Sequence, residues 1–404
     1  MSLRERILAY ADRQYPLYRQ LALDIHAHPE TSNHEVFACG LLSDQLRAEG
    51  FAVTVDVAGH PTGFTGVYQS GKPGPVLAFL AEYDALPGLG HGCGHNLFGP
   101  TSVLAGAALK QVIDETGGEI RVYGTPGEEG GENGSAKGSF VREGYFRDVD
   151  AALCVHPGSD HHELTHPEIA CAPIRIEFKG KAAHASSAPH EGVNALDALV
   201  LVFNAIGLLR QQLPRDVRIH GIVTRGGDAP NIIPDYTEGR FYVRAATVPR
   251  MMEVLEKLKK IVEGAALQTG CTGLLEPTQR NLIHNVVPTP SFDEVYLKNL
   301  LSLGEKYENI NVPLGSSDVG NVSQVIPTIQ PMIRISDTPV AGHTIEKREA
   351  CKSETGLSSI ALGAKVLALT ALDLIQSPAL LQKIKQDHAE AVANQDSNLS
   401  LPSH

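Results

Sequence analysis

The 404-residue chain has few positive charges: 34 Lys and Arg against 46 Asp and Glu leave a net charge of −12 with His neutral. No basic run tracks a phosphate backbone, which excludes nucleic acid as a partner. Paired cysteines are missing too. Cys39, Cys93, Cys154, Cys171, Cys271 and Cys351 lie far apart with no C-x-x-C spacing. A chain this long needs no disulfide framework, so free thiols in a reducing, cytoplasmic compartment are expected. The opening residues, Met1-Ser-Leu-Arg-Glu-Arg-Ile, lack the apolar core of a secretory signal. The apolar stretch from Ala195 to Leu209 is broken by Asp197 and Asn204 and is too short to span a bilayer, so no membrane role is expected. The 39 Gly and 25 Pro follow no triplet period, which excludes collagen, and no internal repeat or low-complexity block appears. The segment from Gln395 to the end reads as a frayed tail.

What remains is an ordinary globular composition, 42% hydrophobic and 20% charged, long enough for two to three domains of about 100–200 residues each. Helical periodicity fills the first 50 residues, with Ile7, Tyr10, Ala11, Tyr18, Leu21 and Ile25 on one face. Strand-like runs then follow at 51–57, 76–80, 119–123 and 151–155, with a helix over 102–111. That alternation predicts an α/β layer with a mixed sheet. Between 172 and 282 the order changes to β-α-β-β-α-β, the split βαβ or ferredoxin-like arrangement. The segments 291–307 and 316–325, a strand at 329–335 and the segment 354–376 resume the α/β pattern. The expected organisation is a discontinuous domain, 1–171 with 283–404, interrupted by an inserted domain over 172–282.

Four segments could carry chemistry. The run from Leu80 to Asn96 leaves an apolar strand and places Asp84, His91, Cys93 and His95 in a glycine-rich loop. Strand ends are where open α/β sheets put ligands, and Cys, His and carboxylate suit zinc or a neighbouring first-row metal. A buried Cys with a hydrogen-bonded His is the plainer reading of that loop alone. In Tyr123-Gly-Thr-Pro-Gly-Glu-Glu-Gly-Gly, Glu128 and Glu129 follow a strand: one can bind a metal while its neighbour acts as general base. A solvated acidic turn is the alternative. The adjoining Gly134-Ser-Ala-Lys137 is not a phosphate-binding loop, because Ala136 stands where a glycine should precede the lysine. Cys154-Val-His156-Pro-Gly ends another strand. The nearby His161, His162 and His166 sit among acidic residues and read as an exposed polar loop. His343, in Val340-Ala-Gly-His-Thr, is the fourth and weakest signal on its own.

Taken in order, Asp-Ala-Leu-Pro, Cys-Gly-His, Glu-Glu-Gly, Val-His-Pro-Gly and a late His resemble the dimetal metallopeptidase and amidohydrolase family. That family includes aminoacylases, carboxypeptidase G and the indole-acetyl-amino-acid hydrolases. Gly-His-Gly-Cys-Gly-His-Asn and Gly-Ser-Ser-Asp-Val-Gly-Asn-Val-Ser look most like its aminobenzoyl-glutamate hydrolase and β-alanyl dipeptidase branch. The resemblance implies a mixed-sheet catalytic domain with an inserted lid and dimerisation domain. It also implies two divalent ions per chain, zinc first with manganese or cobalt left open, held by Cys93, His95, Glu129, His156 and His343. Glu128 would be the general base and Asp84 a support beside the metals. In the lid, Gly180-Lys-Ala-Ala-His184 resembles the motif whose His reaches the active site of the neighbouring copy to stabilise an oxyanion. Asn231 and Arg244 would grip the substrate's terminal carboxylate. Two departures stand out: Asn96 and Glu82 occupy positions where plant-type relatives carry Asp.

The expected activity is therefore hydrolysis of an amide bond in an N-acyl amino acid, an aminobenzoyl-glutamate-like conjugate or a dipeptide, by a homodimer. Two alternatives stand beside it. One is a metal-free relative that binds small acidic ligands or a protein. The other is a cysteine hydrolase using Cys93 and His95, which would leave the Glu-Glu pair without a role. Metal analysis and chelator sensitivity separate the three.

Overall fold

The computed structural model describes residues 1–308 and 315–395, so most of the segment read as a tail lies outside the described residues. The chain forms two compact units. One is Met1–Pro167 with Val286–Asn394, and the other contains Glu168–Asn285.

The first unit is built on a six-stranded mixed sheet. Its order is Ala52–Val57, His60–Gln69, Glu119–Gly124, Val76–Ala81, Ala151–Leu153 and Thr328–Ile329. The first two pairings are antiparallel and the remaining three parallel. Val76–Ala81 and Ala151–Leu153, in the middle of the parallel part, are apolar along their whole length, because both faces are covered. Helices Leu3–Ala27, His95–Thr116 and Glu354–Gln376 supply much of the core, including Leu21, Ile25, Leu104, Leu109, Ile360 and Leu367. Each such side chain, fully buried, contributes about 1.5–3 kcal/mol. Ser2 starts the first helix with a reciprocal capping box to Glu5, and Ser353 caps the last of the three. Glu354–Gln376 is long and apolar enough to cross a membrane by composition, but its apolar side chains are spent on this core.

Three elements differ from the sequence expectation, each for a local reason. His60–Gln69 is a strand that Pro61, Gly63 and Gly66 conceal by interrupting its alternation. The helix expected over 102–111 starts at His95, with Pro100 tolerated close to the N-terminal turn. The strand expected over 329–335 is two short pieces. Thr328–Ile329 pairs with Ala151–Leu153, Met332–Ile333 pairs with His156–Pro157, and Pro331, which has no N–H to give, lies between them.

The second unit is a four-stranded antiparallel sheet ordered Thr272–Pro277, Ala170–Lys179, Tyr236–Ala245, Arg218–Arg225. With helices Ala195–Leu209 and Val248–Thr269 it has the ferredoxin-like βαββαβ order. Alternation along the strands buries Ile174, Ile176, Phe178, Phe241 and Val243 against helix residues such as Leu199, Val202 and Leu258. The Arg218–Arg225 edge is exposed at every residue but Ile219.

Candidate metal centre

Four neighbouring parallel strands end on the same side of the first unit's sheet, and their trailing loops carry the chemistry. Glu82 and Asp84 follow Ala81, Glu128 and Glu129 follow Gly124, and His156 follows Leu153. Cys93 and His95 arrive from the loop leading into His95–Thr116, so His95 is the first residue of that helix. Gly94 caps it in the left-handed region, with φ of 87°. A Cβ there would lie 2.6 Å from Pro157 Cγ and 2.9 Å from Cys351 Sγ, so both conformation and space require glycine.

Asp84 is the fixed point. One of its oxygens lies 2.9 Å from His95 Nδ1, while the other accepts hydrogen bonds from Ser32 Oγ at 2.7 Å and the Glu129 N–H at 3.0 Å. Burial would raise this carboxyl, but the His95 imidazole and these donors hold it below the usual carboxylate range. Burial would lower the His95 imidazole, but Cys93 and Asp84 hold it well above its ordinary pKa; with Nδ1 engaged by Asp84, Nε2 is the nitrogen that would give up its proton to a metal. That nitrogen is buried and has no hydrogen-bond partner among the described residues. Glu82 Oε2 lies 3.6 Å from it and Glu128 Oε2 3.8 Å.

Around this nitrogen the donors fall into three groups, each with atoms within 4.8 Å of one another: Cys93, His95 and His156; Cys93, Glu129 and His343; His95, Glu128 and Glu129. Cys93 Sγ is 3.3 Å from His156 Nε2, and His343 Nε2 is 3.4 Å from Glu129 Oε1. His343 takes a left-handed φ of 58°, uncommon for a residue with a Cβ, while its N–H donates to the Gly92 carbonyl. Burial, then Lys347, keeps the His156 imidazole well below its ordinary pKa and therefore neutral, the form that ligates. Burial pushes the Cys93 thiol up to about 12. Burial, then Glu129 and Glu82, raises Glu128 well above the usual range. Converging S, N and O donors around an orphaned buried nitrogen are what divalent first-row cations need, so the residues fit the metals that the sequence implies.

Asp84, Cys93, His95, Glu128, Glu129, His156 and His343 thus come together. His161, His162 and His166 do not join them, and their loop is not the exposed one expected. His162 and Glu163 are buried, with Glu163 held between His161 at 2.7 Å and His166 at 2.5 Å.

The lid residues belong to the second unit. His184 is exposed, and its Nδ1 accepts from the Ser186 and Ser187 N–H groups at 3.2 and 3.1 Å. Asn231 sits beside it, its carbonyl accepting from the Ala185 N–H. Arg244 does not. It lies near the far end of Tyr236–Ala245, with its guanidinium over the Tyr242 ring at 5.5 Å. From Tyr236 to Arg244 a strand runs about 26 Å, so one copy does not gather Asn231 and Arg244 into a single grip. The reason is topological, because the strand that follows the Asn231 loop carries Arg244 away from it.

Residues 32–35, which are not among the candidates named from the sequence, clasp the loop that bears Glu128 and Glu129. Buried Glu35 accepts from the Gly127 N–H at 2.9 Å, the Asn33 N–H at 2.8 Å and Thr62 Oγ1 at 2.9 Å. Asn33, left-handed at φ of 68°, accepts from the Asn133 N–H at 2.9 Å and donates to the Gly134 carbonyl at 3.2 Å. The sequence does hold a weak signal for it: Ser-Asn is turn chemistry, and Glu35 is an acid just before an apolar helix.

Residues 172–270 match the model of the peptidase dimerisation domain. The chain is 36% identical over 399 residues to Xaa-Arg dipeptidase of Mus musculus, covering 95% of this chain and 90% of that protein. It is 34% identical over 387 residues to Xaa-Arg dipeptidase of Homo sapiens, covering 91% and 87%. One of the two chains of Escherichia coli p-aminobenzoyl-glutamate hydrolase is 31% identical over 469 residues, covering 97% and 95%. Among solved structures the chain is similar to a dinuclear metal-binding peptidase of the M20 family from Bacillus subtilis. The TM-score there is 0.64 at 20% identity, over 90% of this chain and 99% of that one.

Proposed function

The chain belongs to the M20 family of peptidases and amidohydrolases, and from that premise we propose that it hydrolyses the amide bond of an N-acyl amino acid, an aminobenzoyl-glutamate-like conjugate or a dipeptide. The observation that carries this reading is the orphaned His95 Nε2, ringed by donors from separate strand-end loops. Two divalent cations suit those donors. Cys93, His95, Glu129, His156 and His343 would hold them, their donor atoms falling into the groups Cys93, His95, His156 and Cys93, Glu129, His343. Thiolate with imidazole favours zinc, while imidazole and carboxylate also accept manganese and cobalt.

Bound there, the ions would polarise the scissile carbonyl and acidify the attacking water. The remaining work falls to side chains. Glu128 takes the water's proton and delivers it to the leaving amine. Asp84 holds the His95 ring and, through the Glu129 N–H, the Glu-Glu loop. His184 gives a hydrogen bond to the developing oxyanion. Arg244 and Asn231 bind the substrate carboxylate, and because they lie apart in one copy they serve different sites of a homodimer. The dimerisation-domain match and the exposed Arg218–Arg225 edge, with Ile222 and Val223 uncovered, support that pairing.

A substrate panel on chelator-stripped protein reloaded with zinc, manganese or cobalt tests the reading. N-acyl amino acids, dipeptides ending in arginine or other residues, and aminobenzoyl-glutamate should be compared. At least one class is expected to release a free amino acid in a metal-dependent way. Protein that binds the ions and cleaves none of them would refute it.

The clasp makes its own prediction. Asn33→Gly keeps the left-handed turn without strain while deleting both side-chain hydrogen bonds. Melting temperature should change little, whereas a loosened Glu-Glu loop should lower kcat by about 10–100-fold with KM nearly unchanged. A variant with wild-type kcat would show that the clasp does not position the loop.

A further inference from the structure

An arginine that grips a carboxylate from an open surface has to be held still. Along Tyr236–Ala245, Phe241 and Val243 are buried against the helices of the second unit, so Tyr242 and Arg244 stand on the opposite face of the sheet. On the neighbouring strand Ile219 points inward, which puts Arg218 and His220 on that same open face. The register pairs Arg218 with Arg244 and His220 with Tyr242. Two arginines directly opposite each other weaken a sheet. Stability therefore does not account for this corner.

The contacts among the four side chains show what it does instead. Arg218 turns away, its Nη1 donating to the carbonyls of Val217 at 2.9 Å and of Arg215. The Arg244 guanidinium lies over the Tyr242 ring, 5.5 Å from its centroid. The His220 ring packs on the same tyrosine at 5.6 Å, with the two planes 24° apart. Partial burial, then Arg244, lowers the His220 imidazole, so it is a neutral plane rather than a third positive charge. Tyr242 is 42% exposed, and its ring is no part of the core. A long arginine side chain loses rotamer freedom when it grips a ligand, whereas a guanidinium already laid on an aromatic face has lost much of that freedom beforehand. Stacking uses the face of the fork and a carboxylate is bound in its plane, so the two contacts are compatible.

We propose that Tyr242, steadied by His220, is a positioning residue that holds the Arg244 guanidinium for the substrate carboxylate. This rests on the carboxylate-binding reading of Arg244 above and adds what stiffens that grip.

The test joins kinetics to chemical modification of the zinc-reloaded full-length protein. Kinetics use a panel member that is cleaved and its counterpart with the carboxylate converted to a carboxamide. Modification uses phenylglyoxal, with the rate at Arg244 read by mass spectrometry, and needs no turnover. Tyr242→Leu keeps an apolar side chain but removes the π-face. KM for the carboxylate substrate should rise by about 3–30-fold with kcat nearly unchanged, and Arg244 should react faster by a similar factor. The carboxamide should show no such rise. Tyr242→Phe keeps the ring and should match wild type in both measurements, while His220→Ala should shift both in the same direction by less. Arg244→Lys keeps the charge but loses the fork, and should raise KM for the carboxylate substrate alone. Wild-type KM in Arg244→Lys would refute the carboxylate reading itself. A raised KM there, with wild-type KM in Tyr242→Leu, would overturn the positioning role and leave Arg244 in place. Wild-type behaviour of His220→Ala would remove His220 from that role. If no panel member is cleaved, the modification rate decides. Equal rates at Arg244 in wild type and Tyr242→Leu would overturn the proposal, and a faster rate in the variant, restored by Tyr242→Phe, would support it.

Discussion

Replacing Glu128 by Gln is expected to lower kcat by about 10²–10⁴-fold, while the protein still takes up both of its ions. The substitution keeps the side chain's volume and one carbonyl oxygen but removes the group that accepts a proton. Geometry separates the two adjacent glutamates. Glu129 shares a donor group with Cys93 and His343, lies 3.4 Å from His343 Nε2, and receives the Asp84 carboxylate on its N–H. Glu128 approaches only the His95 side, at 3.8 Å. Glu129→Gln should therefore lose an ion, and its activity should fall as a consequence. Elemental analysis of both variants after identical reconstitution, beside steady-state kinetics, checks the assignment. Metal lost from the Glu128 variant, together with turnover retained in the Glu129 variant, would exchange the two roles.

The same comparison explains why some of this site was legible in the sequence and some was not. Cys93, His95, Glu128, Glu129 and His156 each follow an apolar strand or lie in a glycine-rich loop, so local pattern and residue type were enough to single them out. His343 has no such context: its strained turn is visible only in three dimensions. Glu82, Lys137 and Asp318 come from separate segments and meet at one buried point, a convergence that no spacing rule reports. The Asn33 and Glu35 clasp was hidden for a similar reason, since backbone N–H groups of a distant loop are its partners. Fold elements follow the same division. Glu354–Gln376 has a clean period, and its bounds agree with the sequence reading. His60–Gln69 breaks its own alternation with proline and glycine, and tertiary pairing to Ala52–Val57 and Glu119–Gly124 makes it a strand nonetheless.

His184→Ala should be nearly as damaging as the loss of the base, and the two defects should complement each other. The Ser186 and Ser187 N–H groups both point at His184 Nδ1. That nitrogen must therefore be an acceptor, which places the proton of the neutral ring on Nε2. An exposed Nε2–H on a backbone-anchored turn is a directed donor, suited to an oxyanion rather than to a metal, and removing such a donor costs about 10²–10³-fold in kcat. If two copies pair through their lids, the donor of one chain can serve the base of the other. Mixing His184→Ala with Glu128→Gln and allowing the chains to exchange would then create hybrids with one intact site, holding Glu128 from one chain and His184 from the other. Activity should rise from near zero toward about a quarter of wild type, because half of the dimers are hybrids at random exchange and each has one of two sites restored. Exchange confirmed by mass spectrometry with no recovered turnover would confine His184 to its own chain or to no catalytic role. A monomer with full activity would remove the shared site altogether.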